Sequence, residues 1–442
     1  MKRAYCTQAC ATAALLLPLA CGKSTGDVAL SKADDDAPLD VPVPAADGPR
    51  LGSIAHTTPV RARPSKESKI LGYLHAGAKV ARTEEPYSED GCKGGWYPVR
   101  PRGFVCLEEG ATLDPHHPTL VTMAIQPNLA EALPYAYART TADAPVYEVD
   151  ESRERGIKTT ETMPSMSGLA VVGSWEATDE QGATHKLAMM TNGRFVDADK
   201  LKQAPVSTFV GVELNAEVQL PVGFVVKRGV NTWKLDGAIA EKQRELDVHT
   251  RLSLSGKFRT VEGHKYWELT DGAWVRHQDI TTARKREDAP PFVTETRRWV
   301  DISVVTGTAV AYEGKTPVYA TLVSVGKDRL GTDLEQGEIT ERGEFEVIAK
   351  HTTALNANIK GFANRVDIYD TPWTLELASG QLMHGAYWHE RYGVEHGPGH
   401  IQLSPADARW FYQWATPDVP EGWHAVTLVP DDVERTIINV RK

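Results

Sequence analysis

Short apolar–polar alternations, broken repeatedly by glycine and proline, run through most of the chain from residue 51 onward. Between 51 and 110 the pieces are Val60-Arg61-Ala62-Arg63, Ile70-Leu71-Gly72-Tyr73-Leu74, Ala78-Lys79-Val80, Trp96-Tyr97-Pro98-Val99 and Gly103-Phe104-Val105. Alternation puts the apolar side chains on one face of a strand, and frequent turns keep the strands short, so this stretch predicts a small all-β barrel. The Gly103-Phe104-Val105 ending recurs as Gly193-Arg194-Phe195-Val196 and as Gly272-Ala273-Trp274-Val275. Residues 120–285 therefore predict two further β-rich modules, joined at the polar segment Asp236 to Glu245. The charged stretch 281–291, closing on Pro290-Pro291, predicts a linker.

From Arg298 the pattern sharpens into hairpins. Trp299–Val304, Thr308–Tyr312 and Pro317–Ser324 alternate around the turns Thr306-Gly307 and Glu313-Gly314. One helix is predicted near the end. Ser404 suits the N-cap, Pro405 the first helical position and Asp407 the positive end of the helix dipole. Trp410, Phe411 and Trp414 give that helix an apolar face, and Pro417 stops it. Trp96, Trp267 and Trp274 are expected in module cores.

The first residues read differently. Lys2 and Arg3 precede an apolar run, Ala11 to Ala20, that is too short to span a bilayer and predicts a signal peptide over 1–20. Residues 21–50 are rich in Asp, Ala and Pro and predict a disordered tether. A length of 442 residues implies two to four domains at about 100–200 residues each. The net charge of −10 argues against a nucleic-acid-binding face or a polybasic membrane contact. Of five cysteines, Cys6 and Cys10 would leave with the signal. Cys92 and Cys106 then form the expected disulfide of an exported protein, closing a loop worth roughly 3 kcal/mol. No cysteine follows residue 106.

Three resemblances bear on function. Cys21, directly after the apolar run, resembles the lipobox cysteine of bacterial lipoproteins; a plain cleaved signal is the alternative. The implied location is exported, anchored by lipid to a membrane and facing the periplasm or the cell exterior. Residues 51–110 resemble a bacterial Src-homology-3-like domain, which implies either peptide or glycan binding or simple bracing. Residues 298–428 resemble the L,D-transpeptidase catalytic domain, on Trp299-Val300-Asp301, Tyr312-Glu313-Gly314, Thr340-x-x-Gly343-x-Phe345, His384-Gly385-Ala386-Tyr387-Trp388-His389, Tyr392-Gly393 and Ser404-Pro405-Ala406-Asp407-Ala408. The fold this implies is mainly β, an L,D-transpeptidase-like β-sandwich or barrel with a short helix, preceded by small all-β barrel modules.

That family transfers acyl groups between peptidoglycan stem peptides, with a cysteine thiolate as nucleophile and a histidine as base. The resemblance places the base at His384, substrate-groove residues at Tyr387, Trp388, Gly399 and Gln402, and the nucleophile at residue 400, which is His400. The Ser/Thr-His-Gly-Cys of the family becomes Gly397-Pro398-Gly399-His400, with Gly399 retained. The expectation is a non-catalytic protein that binds or scaffolds peptidoglycan or its stem peptides. The alternative is an enzyme working through His400, since imidazole can act as a nucleophile. His384, His389, His396 and His400 crowd one region, but no carboxylate or thiol stands at a recognised ligand spacing, so no metal or cofactor is expected.

Overall fold

The computed structural model describes residues 39, 41–326, 339–355, 367–397, 399–427 and 433–442. The expected signal peptide, Cys21, most of the expected tether and Pro398 lie outside them.

One strand ladder occurs three times. In the second module the strands are Ala136–Thr140, Ala144–Asp150, Gly156–Met163, Gly168–Thr178, Thr184–Met190, Phe195–Asp197 and Leu201–Gln203. They lie side by side in the order third, second, sixth, fifth, fourth, first, seventh. Val222–Val225, Val230–Asp236, Ile239–Leu246, Arg251–Val261, His264–Leu269, Trp274–Arg276 and Ile280–Ala283 repeat that order in the third module. The first module runs from Arg50–Ser53 to Ala111–Thr112 and has the same order, split into two runs linked by the single bridge Arg82 to Val99. In each copy a 3-10 turn separates the sixth and seventh strands, at Leu107–Glu109, Ala198–Lys200 and His277–Asp279. The recurring Gly-aromatic-Val signature marks the sixth strand because glycine at positive φ turns the chain into it, at Gly103, Gly193 and Gly272.

Four expectations need correction. Asp236 to Glu245 is no junction: it spans the tip and return strand of a hairpin inside the third module. Its polarity reflects exposure along Ile239–Leu246. The connection between modules is instead the segment 204–221, which lends Val212–Glu213 to the edge of another sheet by pairing with Tyr319 and Ala320. The predicted linker begins as a strand, Ile280–Ala283. Its Arg286 is then fixed by Asp301 at 3.0 Å and by the Tyr312 hydroxyl at 3.0 Å. The last part of the expected tether is packed rather than free. Leu39 and Val41 lie on the cluster of Cys92, Trp96, Phe104 and Cys106, whose cysteines are disulfide-bonded. Trp96 and Trp267 are buried as expected, whereas Trp274 is part-exposed with the Arg259 guanidinium over its ring.

The C-terminal domain begins with the hairpins Arg298–Ser303, Thr308–Glu313 and Thr316–Leu322. Ile437–Arg441 lies parallel beside the first of these and antiparallel to the start of the long strand Gly343–Leu355. The second half of that strand pairs with Asp370–Leu377, which pairs with Leu382–Gly385, which pairs in parallel with Ile401–Leu403. The helix Pro405–Trp414 follows at once and packs Ala408, Phe411 and Tyr412 into a core with Val300, Leu375 and Ile401. The first module joins the same sheet, because Gly72 and Tyr73 pair with Val426 and Ala425.

The helix starts as its sequence requires. Ser404 Oγ accepts from the Asp407 N–H at 3.1 Å, and Pro405 occupies the first turn. Asp407 does more than favour the dipole. Its fully buried carboxylate accepts from the Tyr319 and Thr321 hydroxyls at 2.6 Å each and from the Gly211 N–H at 2.7 Å. It ties helix, hairpin and inter-module segment at one point. Asp407→Ala leaves those three donors buried without an acceptor. The expected loss is on the order of 3 kcal/mol or more, read as a lowered urea midpoint at unchanged slope.

Candidate functional site

The parallel pair Leu382–Gly385 and Ile401–Leu403 sets His384 opposite Gln402. Gln381 at one end and Ala386 at the other extend the lock, through Gln381 Nε2 to Gly399 O at 2.6 Å and Ala386 N to Leu403 O at 2.9 Å. His384 is fully buried. Its Nδ1 is 3.1 Å from Gly385 O, and its Nε2 has no hydrogen-bond partner among the described residues. Donation from Nδ1 to that carbonyl leaves the Nε2 lone pair free. Burial, reinforced by His400, lowers the His384 pKa to about 3, so the ring is neutral near pH 7.

His400 stands beside it, with ring centroids 5.9 Å apart and planes inclined at 70°. Its Nδ1 accepts the Leu382 N–H at 3.1 Å. Burial lowers its pKa to about 4, so this ring too is neutral and carries its proton on Nε2. A neutral imidazole has one in-plane lone pair, and here a backbone amide holds it. His400 lines a cavity of about 360 Å³ whose other walls include Tyr73 and His75 of the first module and His351 and Glu376 of the C-terminal domain.

The remaining expected site residues are interior. Gln402 is 1% exposed; its Oε1 accepts from His389 Nε2 at 2.7 Å and its Nε2 donates to His396 O at 3.0 Å. Tyr387 is buried with its ring 4.4 Å from that of Tyr137, and its hydroxyl lies where a Cβ on Gly168 would stand. Trp388 is buried between that contact and His384, whose ring centroid is 5.6 Å away. Arg139 reaches the Trp388 carbonyl at 3.3 Å. Tyr387, Trp388 and Gln402, expected to line a substrate groove, are thus covered, the first two by the second module and the third by its own neighbours. Gly399 is held by space: a Cβ there would come within 2.3 Å of Ile339 O.

The second module is fixed by Asp370, which accepts from the Thr191 hydroxyl at 2.6 Å and the Ala170 N–H at 3.0 Å. Burial raises its pKa to about 6. Sequence reading missed this residue, and it missed Tyr73, His75, His351 and Glu376. No local pattern distinguishes these side chains from others on polar strands; they meet only through long-range pairing.

The neutral histidines carry a pH signature. His384, His389 and His400 all have native pKa values below the ordinary 6.5, each chiefly through burial. Their unfolded forms bind protons first as pH falls. Their contribution to stability is therefore full above about pH 6.5 and declines below it, by about 1.4 kcal/mol per pH unit for a fully buried ring such as His384, an effect that the raised carboxyls of Asp370 and Asp407 offset only in part. Urea midpoints from pH 7.5 to 5 should fall accordingly, and His384→Gln should flatten the decline.

Residues 297–429 match the YkuD family, the L,D-transpeptidase catalytic domain. No curated protein matches the chain. An L,D-transpeptidase structure from Xylanimonas cellulosilytica is 16% identical, over 35% of this chain and 65% of that one, with a TM-score of 0.23. One from Stackebrandtia nassauensis is 16% identical, over 34% and 58%, with a TM-score of 0.23. One from Mycobacterium smegmatis is 16% identical, over 42% and 78%, with a TM-score of 0.25. The chain thus spans less than two thirds of the length of the first two. The C-terminal region of this protein is an L,D-transpeptidase-like catalytic domain, in a chain of mainly β structure.

Proposed function

We propose that this chain binds peptidoglycan stem peptides without transferring acyl groups, as an exported scaffold anchored through lipid on Cys21. The observation that carries the reading is the hydrogen bond from the Leu382 N–H to His400 Nδ1 at 3.1 Å. Acyl transfer in this family needs a thiolate at that place, and no cysteine follows residue 106. His400 cannot stand in for it while its lone pair serves a backbone amide. Freeing the other nitrogen would mean stripping its proton to an imidazolate, a far stronger base than the neutral His384 that would have to take it. The family's degenerate motif therefore reads as a loss of chemistry within a retained frame.

Bracing is the better reading of the first module, because the strand Ile70–His75 is joined to the C-terminal sheet through Val426 and Ala425. The cavity beside His400, walled by both parts, is the place for a bound peptide segment. Full-length protein incubated with purified sacculi should cosediment and release no D-alanine. Failure to cosediment at any salt concentration sinks the binding reading, and released D-alanine sinks the non-catalytic one.

Restoring the motif should not restore the reaction. Gly397 has φ +82°, and a side chain there would meet Gln402 Nε2 at 2.5 Å. The combined variant Gly397→Ser, Pro398→His and His400→Cys is expected to show no exchange of D-alanine above background in a mass-spectrometric assay with tetrapeptide. Measurable exchange would mean that the groove is intact and that only the nucleophile was lost.

A further inference from the structure

A second cavity, of about 570 Å³, lies where three parts of the chain meet. Gly77 and Lys79 come from the first module, Leu120 and Leu129 from the segment that follows it, and Tyr412 and Trp423 from the C-terminal domain. Lys350 lines it too. This lysine lies in the middle of the strand Gly343–Leu355 and is 1% exposed. Its Nζ donates to Ala415 O at 2.7 Å and sits 4.9 Å from the centroid of the Tyr412 ring. Among the described residues no carboxylate forms an ion pair with it; Asp418 acts only at longer range.

A buried ammonium without a counter-charge is costly, and proteins rarely keep one without a use. Part of the explanation is local. Ala415 caps the C-terminus of the helix Pro405–Trp414, where a cation suits the dipole. That bond uses one of three Nζ hydrogens, however, and leaves the charge unpaired. Burial lowers the Lys350 pKa to about 7, so the amine stands poised between its two forms.

We propose that this cavity is a binding site for a monocarboxylate with an apolar body, its carboxylate seated on Lys350. The apolar walls receive the body, and the volume falls within the roughly 300–1,000 Å³ typical of small-molecule sites. Lys350 is the one buried cation among the lining residues and seats one carboxylate; Lys79 on the wall offsets part of the repulsion from Asp418 and Glu421, which leaves no place for a second. The carboxylate belongs either to a free acid or to the C-terminus of a short peptide. The site is separate from His400 and does not depend on the peptidoglycan reading.

The test uses the full-length protein and two pairs of probes: 4-phenylbutyrate with its amide, and acetyl-leucyl-leucine with its amide. Calorimetry should show at least one acid binding about tenfold or more tighter than its amide. Preference for the peptide acid points to a chain terminus as the ligand, and preference for phenylbutyrate to a free acid. The Lys350 Cε resonance should titrate at least about one pH unit higher in the complex, equivalent to a tenfold preference for the charged amine. The groups that share its field are Asp418, Arg298 and Tyr412, with His424, Glu421 and Lys79 around the cavity. Lys350→Met should reduce acid affinity at least about tenfold and leave amide affinity unchanged. Equal binding of acid and amide, no binding of either acid, or an unmoved Lys350 titration overturns the proposal. The titration in the unmodified protein decides alone if the variant does not fold.

Discussion

The 3.1 Å contact between the Leu382 N–H and His400 Nδ1 exists because two short strands run parallel with His384 opposite Gln402. That register fixes His384, His400 and the start of the helix within one rigid unit. Ser404 begins the helix immediately after Leu403, so the cap, the strand pair and the histidines cannot shift independently. Neutral rings fit this setting. Burial holds both protons off, and each ring then has one lone pair to place. Among the described residues His384 keeps its lone pair unbonded. His400 gives its own to the backbone.

Buried carboxylates fasten the surrounding parts to that unit. Asp370 holds the second module, Asp407 the segment that leads to the third, and Asp301 both Arg286 and the final strand through Arg441. Each accepts two or more hydrogen bonds, which is the condition for keeping a carboxylate out of water. The modules are thus joined to the C-terminal domain by directional contacts as well as by apolar area. This explains why aromatic residues of the expected groove are interior: the second module is seated upon Tyr387 and Trp388, with Tyr137 and Gly168 as the contact.

What the sequence made legible was local. Ser404-Pro405 announced the helix, the hairpin turns announced their strands, and Gly-aromatic-Val announced the sixth strand of each ladder. Residues Ile239–Leu246 misled because a hairpin exposed on most of its length has the composition of a linker. His384, Gly399 and His400 stand out in the sequence by motif and spacing, and the structure brings their strands together. The burial of Tyr387 depends on Tyr137 and Gly168, far away in sequence, which no periodicity reveals. Lys350 gave no signal at all, since a lysine in an alternating strand ordinarily faces water.

On this structure the imidazole at residue 400 has no lone pair to offer a substrate. Nitrogen-15 NMR of histidine-labelled protein at pH 7 measures this directly. An unprotonated, hydrogen-bonded Nδ1 and a protonated Nε2 are expected at His400. A protonated Nδ1 with an unprotonated Nε2 would contradict this and leave His400 a free lone pair on Nε2.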